Sequence, residues 1–260
     1  MKKMTYSAPT VKKAFKILQL ISESATGLGV SDLAKRLKIG KSTVHGITYA
    51  LEDLGVLIRE PHNKKYTMGY TLLELYKRSY GKKELREVAK RPMEMLMKRV
   101  GETVFLGVLN GDHVTILDVL ESNNEMKITA PPGTRLPLLV GATGRVLLAQ
   151  LEREKARDIV QKKGLTSYTQ RSVTDPKVFL REVDEAGERG YSFDNEEYIP
   201  GVRAVAAPLR MTSLPPAAIW VVGFTSTMDE KKIELMIREI RETATEISRS
   251  LEDNAGGIRI

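Results

Sequence analysis

VSDLAKRLKIGKSTVHGITYALEDLG, residues 30–55, holds two short segments of helical periodicity with a Gly between them. Ser31 is placed to N-cap the first, with Asp32 in its first turn, where negative charge suits the helix dipole. Leu33, Ala34 and Leu37 recur at helical spacing. Ile39-Gly40 is expected to make the turn, because Gly adopts backbone angles that other residues resist. The second helix is expected from Lys41 to Leu54, with Val44, Ile47, Leu51 and Leu54 facing inward. Lys41, Ser42, Thr43, His45, Thr48 and Tyr49 are left for its outer face. The pair reads as a helix-turn-helix, whose second helix offers small polar and basic groups at the end that enters a DNA major groove. An ordinary helical hairpin with a solvated outer face is the alternative.

The flanking residues favour the DNA reading. Gly55 to Arg59 is a short apolar strand after a helix-ending Gly. Pro61-His62-Asn63-Lys64 is a turn cluster, and Lys65 to Met68 reads as the return strand. Two strands around a basic tip form a wing, with Asn63, Lys64 and Lys65 placed for DNA contact. Val11 to Ser22 reads as a preceding helix, with Val11, Ala14, Phe15, Leu18 and Ile21 on its buried face. Lys12, Lys13 and Lys16 either touch phosphates, which orient a protein without reading sequence, or form a solvated face.

Charge is distributed unevenly. Residues 1–80 hold 14 Lys+Arg and 6 Asp+Glu, while residues 81–260 hold 27 of each, so the formal excess of +8 lies in the first third. One basic module beside a neutral one fits nucleic-acid binding by the first and another task by the second. The chain contains no Cys, which excludes disulfides and thiol chemistry and favours a reducing compartment. Its three His are too scattered for a metal site, and no cofactor is implied. Neither a signal peptide nor a run of ~18 apolar residues is present. The expectation is a cytoplasmic protein with no membrane partner.

The remainder divides into a linker helix over residues 71–81, a larger domain over 82–252 and a loose tail over 253–260. Lys82 to Val100 is amphipathic, with a kink or new start expected at Pro92. From Thr103 the period changes to that of strands. Thr103–Leu109 and Val114–Leu120 pair across Asn110-Gly111-Asp112, and Met126–Ala130 is expected as a third strand. A Pro/Gly loop over 131–137 carries Arg135. Gly141 to Arg145 opens a helix expected over Val146–Leu151, and a further helix covers Glu154–Lys163. Thr174 or Asp175 caps another, with Pro176 in its first turn and Gly190 as its stop. Tyr191–Glu197, Val202–Arg210 and Ala217–Thr225 read as strands, and Met228–Leu251 as a long helix. The class is α+β, an antiparallel sheet with flanking helices.

Four stretches together resemble the IclR family of bacterial transcription regulators. They are Gly40 to His45 with Leu51 and Leu54-Gly55; Leu136-Pro137-Leu138 with Gly144 to Ala149; Gly190 to Glu197; and Gly201-Val202 with Ala206 to Leu209. The resemblance implies an N-terminal winged helix and a C-terminal GAF-like effector domain in a homodimer or homotetramer. It also implies a pseudo-palindromic double-stranded operator and a small organic-acid effector, most often under repression. By the same resemblance the effector pocket is built from Gly141, Ala142, Thr143, Gly144, Asp194, Val202, Ala204, Trp220 and Val222. The chain departs from the family at several positions. Gly46 stands where an Arg is usual, Ala204 where a Cys is frequent, and Trp220 and Val222 where small hydroxyl residues are common. Such a pocket has fewer polar groups and an added indole, which either stacks on an aromatic or apolar effector or fills the space itself. Helix-start amides at 141–144, with Arg145 or Arg203 nearby and Arg135 less well placed, suit a carboxylate. Two other readings compete: a ligand-independent regulator whose second domain only oligomerises, and an enzyme using Asp194, Glu196 and Glu197. The last lacks a nucleophile elbow, a phosphate loop or metal-ligand spacing.

Overall fold

Pro9 has a fixed φ and no amide hydrogen, which suits the first turn of a helix, and α1 runs Pro9–Ser22. The computed structural model describes residues 8–80, 85–210 and 215–255. The chain divides into two compact units, Met1–Gly81 and Lys82–Ile260.

In the first unit α1 is followed by α2 (Val30–Leu37), α3 (Lys41–Asp53), β1 (Leu57–Arg59), β2 (Tyr66–Met68) and α4 (Thr71–Tyr80). Ile17, Leu18, Ile21, Leu33, Val44, Ile47, Leu57 and Tyr66 form its core. The buried stripe of α1 therefore lies one step round from the expected face, and Phe15 is 61% exposed. Helix α2 starts at Val30 with Gly29 as N-cap and no side-chain cap bond, so Ser31 does not cap it. The left-handed residue of the turn is Lys38 (φ 54°), while Gly40 has φ −59° and serves as the N-cap of α3. Leu54 is 63% exposed. β1 and β2 pair antiparallel from Leu57 with Met68 to Arg59 with Tyr66, and Leu28 bridges to Tyr66, giving the wing its root.

The second unit comprises α5 (Leu85–Val100), β3 (Thr103–Asn110), β4 (His113–Leu120), β5 (Arg135–Pro137), α6 (Gly141–Leu148), α7 (Arg153–Lys163), α8 (Pro176–Arg189), β6 (Ser192–Asn195), β7 (Val202–Leu209), β8 (Ala217–Phe224) and α9 (Glu230–Ala255). The strands form one sheet in the order β5-β4-β3-β8-β7-β6, with every pair antiparallel. Helices cover both faces, so β7 and β8 are apolar on both sides rather than alternating. Val104, Leu106, Val205, Ile219 and Val221 face α5 and α9. Phe105, Ala204, Ala206, Trp220 and Val222 face α6 to α8.

Several expectations shift. Helix α5 is continuous through Pro92. Met126–Ala130 forms no strand; the third strand is β5, inside the Pro/Gly loop. Helix α6 begins at Gly141, five residues earlier than expected, and ends at Leu148. β6 is shorter than expected and stops at Asn195. Asp175 does cap α8, accepting the Lys177 and Val178 amides at 2.7 and 3.3 Å, and Gly190 ends that helix in the left-handed region. Residues 253–255 belong to α9, and the remainder of the tail lies outside the described residues.

Candidate functional site

The first candidate is the outer face of α3 with the wing. Lys41, Ser42, Thr43, His45, Gly46 and Tyr49 are exposed along one side of α3. Thr48 is not among them. It is fully buried, and its hydroxyl donates to the His45 carbonyl at 3.1 Å. It follows Val44 by one helical turn, and that spacing, with Ile47 and Leu51, places it on the inner face. At the wing, Glu60 and Lys65 close the turn, with the Glu60 amide donating to the Lys65 carbonyl at 2.8 Å. Asn63 Oδ1 accepts the Lys65 amide at 2.9 Å, so Asn63 fixes the tip as well as facing solvent. Lys64 sits at φ 56° and is exposed; Lys65 is half-buried. Among the described residues no ion pair engages Lys41, Lys64 or Lys65, so their charge is available to phosphates.

The second candidate is a cavity of about 210 Å³ in the larger unit. Its floor is the sheet. Asp194, Ala204 and Val222 share one register row, and Phe105, Trp220 and Ala206 share the next. Rows two residues apart along a strand point the same way, so these side chains face the cavity side together. Its walls are Ile128, Thr129 and Ala130, the start of α6 at Gly141, Ala142 and Thr143, the loop residues Tyr198 and Ile199, and Val202 at the start of β7. Eight of the nine residues expected for the pocket line this space. Gly144 does not. It packs so closely on the Leu138 carbonyl that a Cβ would overlap it, so its role is close helix–loop approach.

Trp220 lies nearly parallel to Phe105, with ring centroids 5.4 Å apart. Gly107 makes room for it, since a Cβ there would come within 2.7 Å of the indole. Sequence reasoning missed Phe105, Ile128 and Tyr198 as wall residues and Gly107 as the indole's seat. A Gly inside an apolar strand was the available signal for close approach.

The polar end of the cavity is the N-terminus of α6. No side chain caps that helix, and the first amides of a helix have no intrahelical acceptor. Asp194 lies beside it, 7% exposed, with Oδ1 accepting the Glu197 amide at 2.7 Å. Gly141, at φ 60°, sits directly against Oδ2. Burial is the main cause that raises the Asp194 carboxyl to about 6, and the charge of Glu197 adds to it. The Glu197 amide and the charge of Arg145 act the other way.

None of the expected arginines lines the cavity. Arg145 is buried below it, contacting Glu197 and, at 2.9 Å, Glu182, and donating to Ser192 Oγ and the Phe193 carbonyl. The Glu182 contact is a charge contact without hydrogen-bond alignment. Arg203 donates to Asn195 Oδ1 and the Met228 carbonyl, and Arg135 is exposed on β5. Glu197 is held by Arg145. Glu196, at φ 64°, accepts the Gly201 amide and faces Arg171. The three carboxylates considered for catalysis thus have separate structural partners. Among the described residues no cluster of three or more His, Asp or Glu is arranged to hold a metal, and no helix is long and apolar enough to cross a membrane.

Known proteins match over the same two units. The family described as bacterial transcriptional regulator IclR C-terminal matches residues 78–249, and the IclR helix-turn-helix domain matches residues 10–61. The HTH-type transcriptional regulator BhcR of Paracoccus denitrificans is 32% identical over 91% of this chain and 85% of its own. The crystal structure of Thermotoga maritima IclR is 30% identical, covers 93% of this chain and 98% of its own, and superposes with a TM-score of 0.66. An IclR homolog from Microbacterium hydrocarbonoxydans, complexed with 4-hydroxybenzoate, is 26% identical over 94% of this chain and 99% of its own, with a TM-score of 0.75. A winged helix-turn-helix followed by an antiparallel α+β domain, matched in this order over nearly the whole length, places this chain in the IclR family of bacterial transcriptional regulators.

Proposed function

We propose that this regulator is a sequence-specific repressor released or engaged by a small aromatic or apolar organic acid. Lys41, Ser42, Thr43 and His45 read base edges, and Asn63, Lys64 and Lys65 hold phosphates. Two copies dock on a pseudo-palindromic operator. Exposed Tyr70, Leu72, Leu73 and Leu75 support self-association as a homodimer or homotetramer, since apolar side chains clustered in sequence on a surface favour a partner.

The observation that carries the effector reading is the composition of the cavity. An apolar cavity of ~150 Å³ accommodates benzene; about 210 Å³ leaves room for a ring and one carboxyl. Apolar walls suit the ring and the uncapped amides of α6 suit the carboxylate. The Phe105–Trp220 pair fills one side and still leaves this space, which argues against a self-filled, ligand-independent domain. The related protein bound to 4-hydroxybenzoate supports the same chemical class. The effector acts by binding one arrangement of the DNA-binding units better than another, with α4 as the connecting element.

The test is binding of the full chain to labelled DNA from upstream of its own gene, at several salt concentrations, with and without 4-hydroxybenzoate. Affinity should fall steeply with salt, as phosphate contacts require, and change on adding the acid. Salt-insensitive binding would contradict the DNA reading. Unchanged affinity across a panel of small acids would contradict effector control.

A further inference from the structure

The residues lining the cavity include one carboxyl, Asp194, and one phenol, Tyr198, but no Lys, Arg or His. Asp194 is more than nine-tenths buried. Its Oδ1 is satisfied by the Glu197 amide, whereas Oδ2 takes no hydrogen bond among the described residues and lies at the start of α6. An acid docked on the α6 amides brings its carboxylate beside that free oxygen.

The surrounding charges do not supply a cation for this encounter. Arg145 and Glu197 are paired with each other, and Glu182 lies against Arg145 as well. Glu196 is turned onto the Gly201 amide and Arg171. β7 and β8 present Ala204, Val222 and Trp220, and α6 presents Gly141 and Ala142, none of them charged. Burial raises the Tyr198 phenol further above its ordinary range, so it stays neutral. Two carboxylates within hydrogen-bond distance and without a cation do not both remain ionised.

Resting on the reading of the cavity as an acid site, we propose that it selects monocarboxylic acids and binds them with uptake of one proton, held between the ligand carboxylate and Asp194 Oδ2. The proton comes from solvent and makes Asp194 a neutral carboxyl, whose O–H donates to the ligand. The cavity carries one negative charge before binding and one after it. A dicarboxylate or a phosphate ester would add a further charge with no partner, and is refused. The raised affinity of Asp194 for its proton makes this uptake easy near neutral pH.

The experiment is titration calorimetry of the full chain with benzoate and 4-hydroxybenzoate, in MOPS and in Tris, from pH 5.5 to 8. The difference in heat between the buffers gives the protons taken up. The expected result at pH 7.5 is close to one proton per ligand, with affinity falling about tenfold per pH unit above 6. Succinate should not bind. Asp194→Asn should bind benzoate without proton uptake and without pH dependence over this range. Wild-type binding with no proton exchange at pH 7.5, or succinate binding as tightly as benzoate, would overturn the proton-sharing inference alone. Absence of both heat and any change in Trp220 emission with either aromatic acid would overturn the acid-site reading and this inference together.

Discussion

Asp194 Oδ2 lies so close to Gly141, the residue that opens α6, that a Cβ on Gly141 would overlap it. Gly141 is also in the left-handed region, at φ 60°. Two independent constraints thus converge on one position, steric and conformational, and both serve to bring a helix N-terminus and a carboxyl to the same end of the cavity.

Replacing that glycine should be costly. Left-handed strain in a non-Gly residue and overpacking each cost ~1–3 kcal/mol. Gly141→Ala should therefore lose about 2–6 kcal/mol in urea unfolding of the larger unit. Adding Asp194→Gly should recover the steric part but not the conformational part. A neutral Gly141→Ala would show that the contact is not tight.

The buried Asp194 also predicts a pH dependence of stability. Its folded value, about 6, lies above the ordinary 3.8. The native state thus keeps a proton that the unfolded chain releases in this window. The favourable contribution is complete below 3.8 and is lost as pH rises to about 6 and above, on the order of 3 kcal/mol in all. Asp194→Asn, which keeps an acceptor for the Glu197 amide, should be more stable than wild type at pH 7.5. That advantage should shrink toward pH 4. Parallel melting curves across this range check it.

On α3, the two threonines should separate cleanly. Thr43→Ala should relax sequence preference in a competition assay while leaving the melting temperature nearly unchanged. Thr48→Ala, at a buried site, should lose ~1 kcal/mol of stability and leave base preference intact. Lys65→Ala should weaken binding to every sequence alike and lower the salt slope by about one.

Gly46 offers a gain. It lies inside α3, exposed, with nothing within 4 Å of where a Cβ would stand. Gly46→Arg should stabilise the helix by ~1 kcal/mol through backbone entropy. It should also tighten binding to DNA and steepen the salt dependence. Unchanged affinity would put that side of α3 away from the phosphates.

These residues also indicate what the sequence could reveal. The helix-turn-helix, the wing and the apolar strands were legible because they depend on local periodicity and turn chemistry. The polarity of Thr48 points outward, but its spacing from Val44 puts it on the buried face. Propensity favours Gly40 for the left-handed turn residue, whereas Lys38 adopts that conformation in the fold. Met126–Ala130 has strand-like composition but forms no strand, and its last three residues line the cavity, while three residues of a Pro/Gly loop take the edge of the sheet. Family resemblance supplied eight of the nineteen residues that line the cavity. The others, among them Phe105, Ile128 and Tyr198, come from segments distant in sequence: Phe105 is set beside Trp220 by the sheet register, while Ile128 and Tyr198 come from connecting segments outside the strands. Arg145 illustrates the converse. Proximity in sequence to the helix start suggested a ligand contact, but burial commits its guanidinium to Glu182, Glu197 and β6.

Trp220, the sole Trp of the chain, stands in the wall of the cavity. The direct measurement is Trp220 emission during titration with small aromatic and aliphatic monocarboxylic acids, in wild type and in Ala204→Leu, which fills the same space. A saturable change is expected in wild type for at least one acid, and its loss in the variant. An emission that no acid alters, or an equal response from Ala204→Leu, would contradict the acid-site reading.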